Sequence, residues 1–391
     1  MKNQRNEICI KPCLRCGKQG RTIRAMHNAS TSSVPADFRL DSYFYELPEE
    51  NIAQQPADKR DGSRLLVLDR KDDTISLRHF TDIVDALPEN ALLVANNSKV
   101  IPARMFGTKP TGGKIEFLLL TPLPLITPEE KNGWQEARVE GLLRASKPPR
   151  QGAEITILDD LRVILQERGE FGKWIVTLRW RGRLVDLVRS TGHLPLPPYI
   201  HRPDTEEDAE RYQTVYANEE KAGSVAAPTA GLHFTSEIKK RLAEKNFSWA
   251  EVTLYVGYGT FSPVRCPDIR DHAMHHEYIE VPEATVIAIK KAKAEGRPVV
   301  AVGTTSARTL EGMFAQCKNI EPFVGETDIF IYPGYEFRVV DALLTNFHLP
   351  ESSLIIMVSA LAGRERILDA YSTALRNGFR FFSYGDSMLI R

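Results

Sequence analysis

His275 and Glu277 are the residues whose types and spacing point most directly to chemistry. They close the run Asp271-His272-Ala273-Met274-His275-His276-Glu277, and on an extended chain positions two apart share a face. An imidazole beside a carboxylate suits proton transfer, or a hydrogen bond that fixes the ring. A metal site is the competing reading of the same run. No cysteine or carboxylate at a recognised spacing completes a tetrahedral ligand set, so no metal is expected.

A second kind of chemistry is carried by polar, small-residue turns. Gly223 to Thr235 reads GSVAAPTAGLHFT and holds no charge and little bulk before His233 and Phe234. Such a loop lets backbone N–H groups approach a ligand, and Thr235 can cap the helix that follows, leaving free donors for a carboxylate, a phosphate or a base edge. A small-residue turn packed under a sheet is the plainer alternative. Two other stretches repeat the design. Val299 to Val302 runs into Gly303-Thr304-Thr305-Ser306 and a helix carrying Arg308 and Glu311. Leu343-Leu344 runs into Thr345-Asn346-Phe347-His348 and a helix from Glu351. Strand, polar turn, helix is how α/β proteins gather ligand groups at one sheet edge. Neither the dinucleotide nor the P-loop pattern is present, which disfavours a conventional nucleotide site.

Cys9, Cys13 and Cys16 have the C-x3-C-x2-C spacing of radical enzymes that hold an iron–sulfur cluster. No barrel pattern surrounds them, and a zinc knuckle would lack its fourth ligand. Residues 1–36 carry seven Lys or Arg against one Glu and a polar run. They read as a disordered extension, with a transit peptide or a start at Met26 as alternatives.

These groups need a scaffold. Residues 37–105 and 188–391 read as one discontinuous α/β domain. Residues 106–187 change texture to short alternating stretches, Lys114 to Leu120, Ala137 to Leu143, Glu154 to Leu158, Leu161 to Leu165 and Trp174 to Trp180. The fold class expected is therefore α/β, a larger mixed α/β domain with an inserted small β-barrel. The barrel carries the clearest basic bias, in Arg144, Lys147 and Arg150 and in Arg179, Arg181 and Arg183, as a phosphate-tracking surface would.

Over 391 residues, 51 basic and 51 acidic side chains cancel, so nucleic-acid contact must come from local patches. Five cysteines give no disulfide framework, which suits a reducing cytoplasm. No apolar run reaches the length of a membrane span. A soluble, cytoplasmic monomer with no membrane partner is expected.

In order, the motifs resemble one family, the S-adenosylmethionine:tRNA ribosyltransferase-isomerases of queuosine biosynthesis. The resemblance covers Asp37 to Arg391 and rests on IAQQP with RDGSRLLVL, LLVANNSKVIPAR, GGKIEFLLL, LPLPPYI, YQTVYA, GSVAAPTAGLHFT, VGYGTF, MHHEY, VGTTSARTLE, IYPGY, LLTNFHLP and RFFSYGDSMLI. Tyr258 and the cysteine-bearing extension depart from the pattern. The resemblance implies that S-adenosylmethionine is consumed as a substrate, with no cofactor. Its ribosyl part moves to 7-aminomethyl-7-deazaguanine at the tRNA wobble position, giving epoxyqueuosine and releasing adenine and methionine. It implies catalytic residues among His233, His275, Glu277 and Asp386, and leaves open which is the general base. It implies substrate contacts from Gly231, Thr260, Phe261, Thr304, Thr305, Arg308, Asn346 and His348. A non-catalytic RNA-binding protein using the barrel is the alternative from another class.

Overall fold

Short runs with no polar face build the centre of the larger sheet. Leu92–Asn96, Val299–Val302 and Ala342–Asn346 are buried at every position, as strands covered on both faces must be. The computed structural model describes residues 34–257, 259 and 263–391. The Cys9, Cys13 and Cys16 cluster, Met26, Thr260 and Phe261 lie outside the described residues.

In chain order, β1 (Arg64–Asp69) and β2 (Thr74–His79) form a hairpin, and α1 (Ile83–Ala86) leads to β3 (Leu92–Asn96) and β4 (Lys99–Val100). Seven strands follow: β5 (Arg104–Thr108), β6 (Lys114–Leu119), β7 (Glu129–Lys131), β8 (Trp134–Arg144), β9 (Glu154–Leu158), β10 (Leu161–Arg168) and β11 (Lys173–Trp180). The chain returns through α2 (Leu184–Thr191), α3 (Glu206–Arg211), β12 (Ala222–Ser224), α4 (Ser236–Glu244) and β13 (Ser248–Leu254). It finishes with β14 (Glu277–Val281), α5 (Glu283–Ala294), β15 (Val299–Val302), α6 (Thr304–Cys317), β16 (Phe323–Thr327), β17 (Ala342–Asn346), α7 (Ser353–Ala362), α8 (Arg364–Arg376) and β18 (Ser387–Ile390).

The larger sheet has nine strands in the order β16-β14-β13-β3-β15-β17-β18-β1-β2. Alternate residues of its central strands feed two cores. Leu92, Val94, Ala301 and Leu343 pack with Ile289 of α5, Leu310 of α6 and Ile356 of α7. Leu93, Ala95, Val300 and Leu344 pack with Phe234 and with Ile238 and Leu242 of α4. Helices on both faces make this an α/β layer structure.

The smaller sheet runs β11-β10-β9-β5-β6-β8 and closes through a further β11–β8 pairing, giving a six-stranded barrel with β7 added beside β8. Period-two burial drives it: Trp174, Val176, Leu178 and Trp180 of β11 point inward, into a core shared with Phe117, Val139, Val163 and Leu165. The first barrel strand begins at Arg104, two residues before the boundary expected at 106, because Met105 and Gly107 are buried in the barrel wall.

Candidate active site

The parallel strands β3, β13, β15 and β17 end at one edge of the larger sheet. β14 and β18 run antiparallel to β13 and β17, so their first residues reach the same edge. That topology collects Asn96, Thr304, Asn346, Glu277 and Asp386 from distant parts of the sequence, outside the carboxyl ends where open α/β sheets bind ligands.

A cleft with an internal volume of about 80 Å³ opens at this edge. Its walls include Thr304 and Thr305, Asn346 and His348, and the segment Ala226 to Ala230, joined by Tyr199, Phe382 and Ser383. Gly303 starts α6 at φ +93°, donating its N–H to the Leu344 carbonyl at 2.7 Å. Only glycine takes that backbone conformation cheaply. α6 begins with no side-chain cap and no acidic residue in its first turn, so its N-terminal donors keep their positive character. Tyr199 and Phe382 line the same cleft, with ring centroids 4.6 Å apart. Phe382 has φ +71°, a strained value for a bulky residue. It is held there by Asn346 Nδ2, which donates to its carbonyl at 2.9 Å. Tyr199 and Ser383 share a 2.6 Å hydroxyl contact.

His233 lies behind the cleft wall. Because Asn346 gives its amide N–H to a carbonyl, its Oδ1 faces His233 Nε2 at 3.3 Å and must accept. His233 is thus the Nε2–H tautomer, and its bare Nδ1 accepts from Ser63 Oγ at 2.7 Å. Burial pushes its pKa down to about 4, against the opposing pull of Asp386. His348 is pushed down to about 3 by burial and meets Thr345 Oγ1 at 2.9 Å. Both imidazoles are neutral near pH 7.

Asp386 is occupied by the backbone: its oxygens accept N–H groups of Arg64 and Arg380, each at 2.8 Å. Glu277 forms a buried ion pair with Arg308, and its Oε1 lies 3.4 Å from Gly257 N. Arg308 Nε and Nη2 are buried without a hydrogen-bond partner among the described residues. His275 packs against Gly259, where a Cβ would come within 2.5 Å of the ring. Burial, then the charge of Lys173, lower its pKa, while Glu277 pulls it up. Of the four acid–base candidates, His275 is the one with no hydrogen-bond partner among the described residues.

The edge therefore places Thr304, Thr305, Asn346 and His348 in the cleft wall. His233 and Asp386 stand behind it, and the Glu277–Arg308 pair with His275 stands to one side, next to the Val256-Gly257 turn. Gly231 serves packing, since a Cβ there would strike the Tyr216 hydroxyl. Sequence reading missed Tyr199, Phe382 and Ser383 as cleft residues, although their motifs LPLPPYI and RFFSYGD were conspicuous.

The two basic sets of the barrel are not adjacent. β11 pairs with β8 so that Lys173 faces Leu142 and Arg179 faces Glu136. Six strand residues, roughly 20 Å, thus separate the Arg179 to Arg183 end from the Lys173 end near His275. Arg144 lies beyond Leu142, at the latter end, where it lines a groove with the strap Leu194 to Asp204. Arg179 pairs with Glu136 at 2.7 Å, Arg181 with Asp160 at 3.8 Å and Arg183 with Asp186 at 3.5 Å. Arg179 and Arg181 also stack on Trp134.

Comparison with known proteins gives consistent matches. Residues 40–390 match a family model described as queuosine biosynthesis protein. The chain is 62% identical over 364 residues to the S-adenosylmethionine:tRNA ribosyltransferase-isomerase of Nitratidesulfovibrio vulgaris strain DP4, covering 91% of this chain and 98% of that one. It is 59% identical over 372 residues to the enzyme of the same name from Oleidesulfovibrio alaskensis, covering 94% and 98%. The crystal structure of S-adenosylmethionine tRNA ribosyltransferase from Thermotoga maritima matches with a TM-score of 0.50 and 36% identity, over 89% of this chain and 99% of that one.

Proposed function

The chain belongs to the queuosine biosynthesis protein family, and from that membership we propose that it is an S-adenosylmethionine:tRNA ribosyltransferase-isomerase with its active site in the cleft beside α6. It moves the ribosyl part of S-adenosylmethionine onto 7-aminomethyl-7-deazaguanine at the tRNA wobble position and isomerises it, giving epoxyqueuosine with adenine and methionine released. The observation that carries the placement is the cleft itself, which the uncapped N-terminus of α6 and the Tyr199–Phe382 ring pair line together.

Each part of the substrate has a suitable partner. The methionine carboxylate suits the α6 N-terminus at Thr304 and Thr305, with the Nε and Nη2 donors of Arg308 one helical turn behind. The sulfonium suits the rings of Tyr199 and Phe382. Neutral His348 and Asn346 offer hydrogen bonds to the departing adenine. The sulfonium acidifies the adjoining ribosyl carbon, so a base must accept that proton. His275 fits this role, with a lowered pKa that keeps it neutral and so one ring nitrogen able to accept. Glu277 would then stabilise the imidazolium and hold Arg308. His233 and Asp386 position Asn346 and the start of β18. The reaction as written needs no cofactor.

No helix among the described residues is long and apolar enough to cross a membrane. A tRNA substrate puts the proposed reaction in the cytoplasm, and a cleft built from one chain suits a monomer. The test is the fate of label. S-adenosylmethionine labelled in the ribose should leave label in the tRNA, and methyl-labelled substrate should not. Methyl label in the tRNA would refute the reading.

A further inference from the structure

His233 separates two pockets. Its Nε2 side reaches Asn346 in the cleft wall, and its Nδ1 side reaches Ser63, which lines a second, shallow surface pocket. Ser383 lines both. Lys59, Arg60, Arg211 and Arg380 line this second pocket, and no carboxylate does.

The charges of these four residues are poorly compensated within the fold. Arg60 donates to the carbonyls of Gln213 at 2.8 Å and Glu210 at 2.6 Å. Arg211 donates to the carbonyls of Ala57 and Asp58, and its one carboxylate partner, Glu207 at 3.3 Å, is itself 69% exposed. The Arg380 side chain donates only to the Gln55 carbonyl, at 3.3 Å, and Lys59 has no partner among the described residues. Burial and the neighbouring Arg211 charge lower the pKa of Arg60, and the Glu210 carboxylate nearby offsets them only in part. Carbonyls orient guanidinium groups without neutralising them, so the pocket is preorganised and positive.

We propose that this pocket binds a phosphodiester of the RNA substrate, beside the nucleotide whose base enters the cleft. The proposal rests on the function given above. A base that reacts inside a cleft must leave its stack while its backbone stays outside. The pocket supplies the matching anion site one side chain away from the cleft, with buried His233 as the shared wall. A carboxylate of S-adenosylmethionine has similar chemistry, and the experiment separates the two sources.

The test uses the Lys59→Gln/Arg380→Gln double variant, which leaves the carbonyl-anchored Arg60 and Arg211 in place. Binding of a tRNA anticodon stem-loop is measured across salt concentrations, together with the KM for S-adenosylmethionine. The expected result is about tenfold or greater weakening, with the slope of log K against log salt shallower by about 1, and an unchanged KM for S-adenosylmethionine. A single methylphosphonate beside the wobble nucleotide should weaken wild-type binding similarly and cost the double variant nothing further. An unchanged salt slope, a methylphosphonate effect that adds to that of the variant, or a raised KM for S-adenosylmethionine alone would overturn the proposal. Because binding is read without turnover, failure of the proposed reaction would be seen separately, as wild-type protein that binds the stem-loop and releases no adenine.

Discussion

Glu277, the first residue of β14, and Arg308, in the second turn of α6, form an ion pair whose side chains are 3% and 8% exposed. Removing one partner of such a pair strands a buried charge, at a cost of about 3–5 kcal/mol. Glu277→Gln is expected to lower turnover at least about a hundredfold and to reduce stability. Glu277→Gln/Arg308→Met should recover much of the stability, read as an unfolding midpoint, and none of the turnover. Near-normal turnover in Glu277→Gln would remove the carboxylate from the chemistry.

His275 gives a pH signature. Its pKa is held below the usual histidine value by burial and by Lys173, so as a base it works above that lowered pKa. The acid limb of kcat/KM should therefore fall below pH 6.5, and His275→Gln should lose about 10²–10⁴ in rate together with that limb. A variant that keeps both rate and limb would assign the proton to another group.

His233 gives a stability signature. Its folded pKa of about 4 lies below the unfolded value of 6.5, so the unfolded chain binds the extra proton between those limits. Its contribution is fully present above pH 6.5 and is lost as pH falls toward 4, with a total of roughly 3 kcal/mol. Denaturant unfolding from pH 7 to 4.5 should show a steep loss that is shallower in His233→Asn. Equal slopes would mean that the imidazole titrates normally.

The barrel ends should differ in their effect on tRNA. Arg144, Lys147 and Arg150 belong to the end nearer the site, whereas Arg179, Arg181 and Arg183 lie at the far end and already hold carboxylates. Neutralising the first three together should weaken tRNA binding and flatten its salt dependence more than neutralising the second three. The reverse order, measured by salt-dependent binding, would place the RNA on the other end.

Much of this fold was legible because period and burial agree. β11 alternates cleanly, and β3, β15 and β17 are short apolar runs ended by polar turns. β5 was not legible: Phe106 is 47% exposed and Arg104 is paired to Glu116, so the strand has little apolar signature. β13 shows a limit of another kind. Val252 and Leu254 alternate with Glu251 and Thr253, a pattern that signals one polar face, yet Thr253 is buried as deeply as Val252, because the strand lies inside the sheet and Thr253 bonds to Asn97 at 2.8 Å. In the site, the strand-to-helix turns declared Thr304 and Asn346. Asp386 looked like an acid–base group, and only the structure gives its carboxylate to two backbone N–H groups. The Arg60, Arg211 and Arg380 cluster joins residues more than a hundred positions apart, a proximity that no local pattern carries.

The central claim is that S-adenosylmethionine is held beside α6 and opened at its ribose, with loss of both adenine and methionine. Product analysis after incubation with S-adenosylmethionine and tRNA bearing 7-aminomethyl-7-deazaguanine tests it most directly. Adenine and methionine should appear in equal amounts, only with the modified tRNA and without added metal or reductant. S-adenosylhomocysteine or 5′-deoxyadenosine as the main product would contradict it.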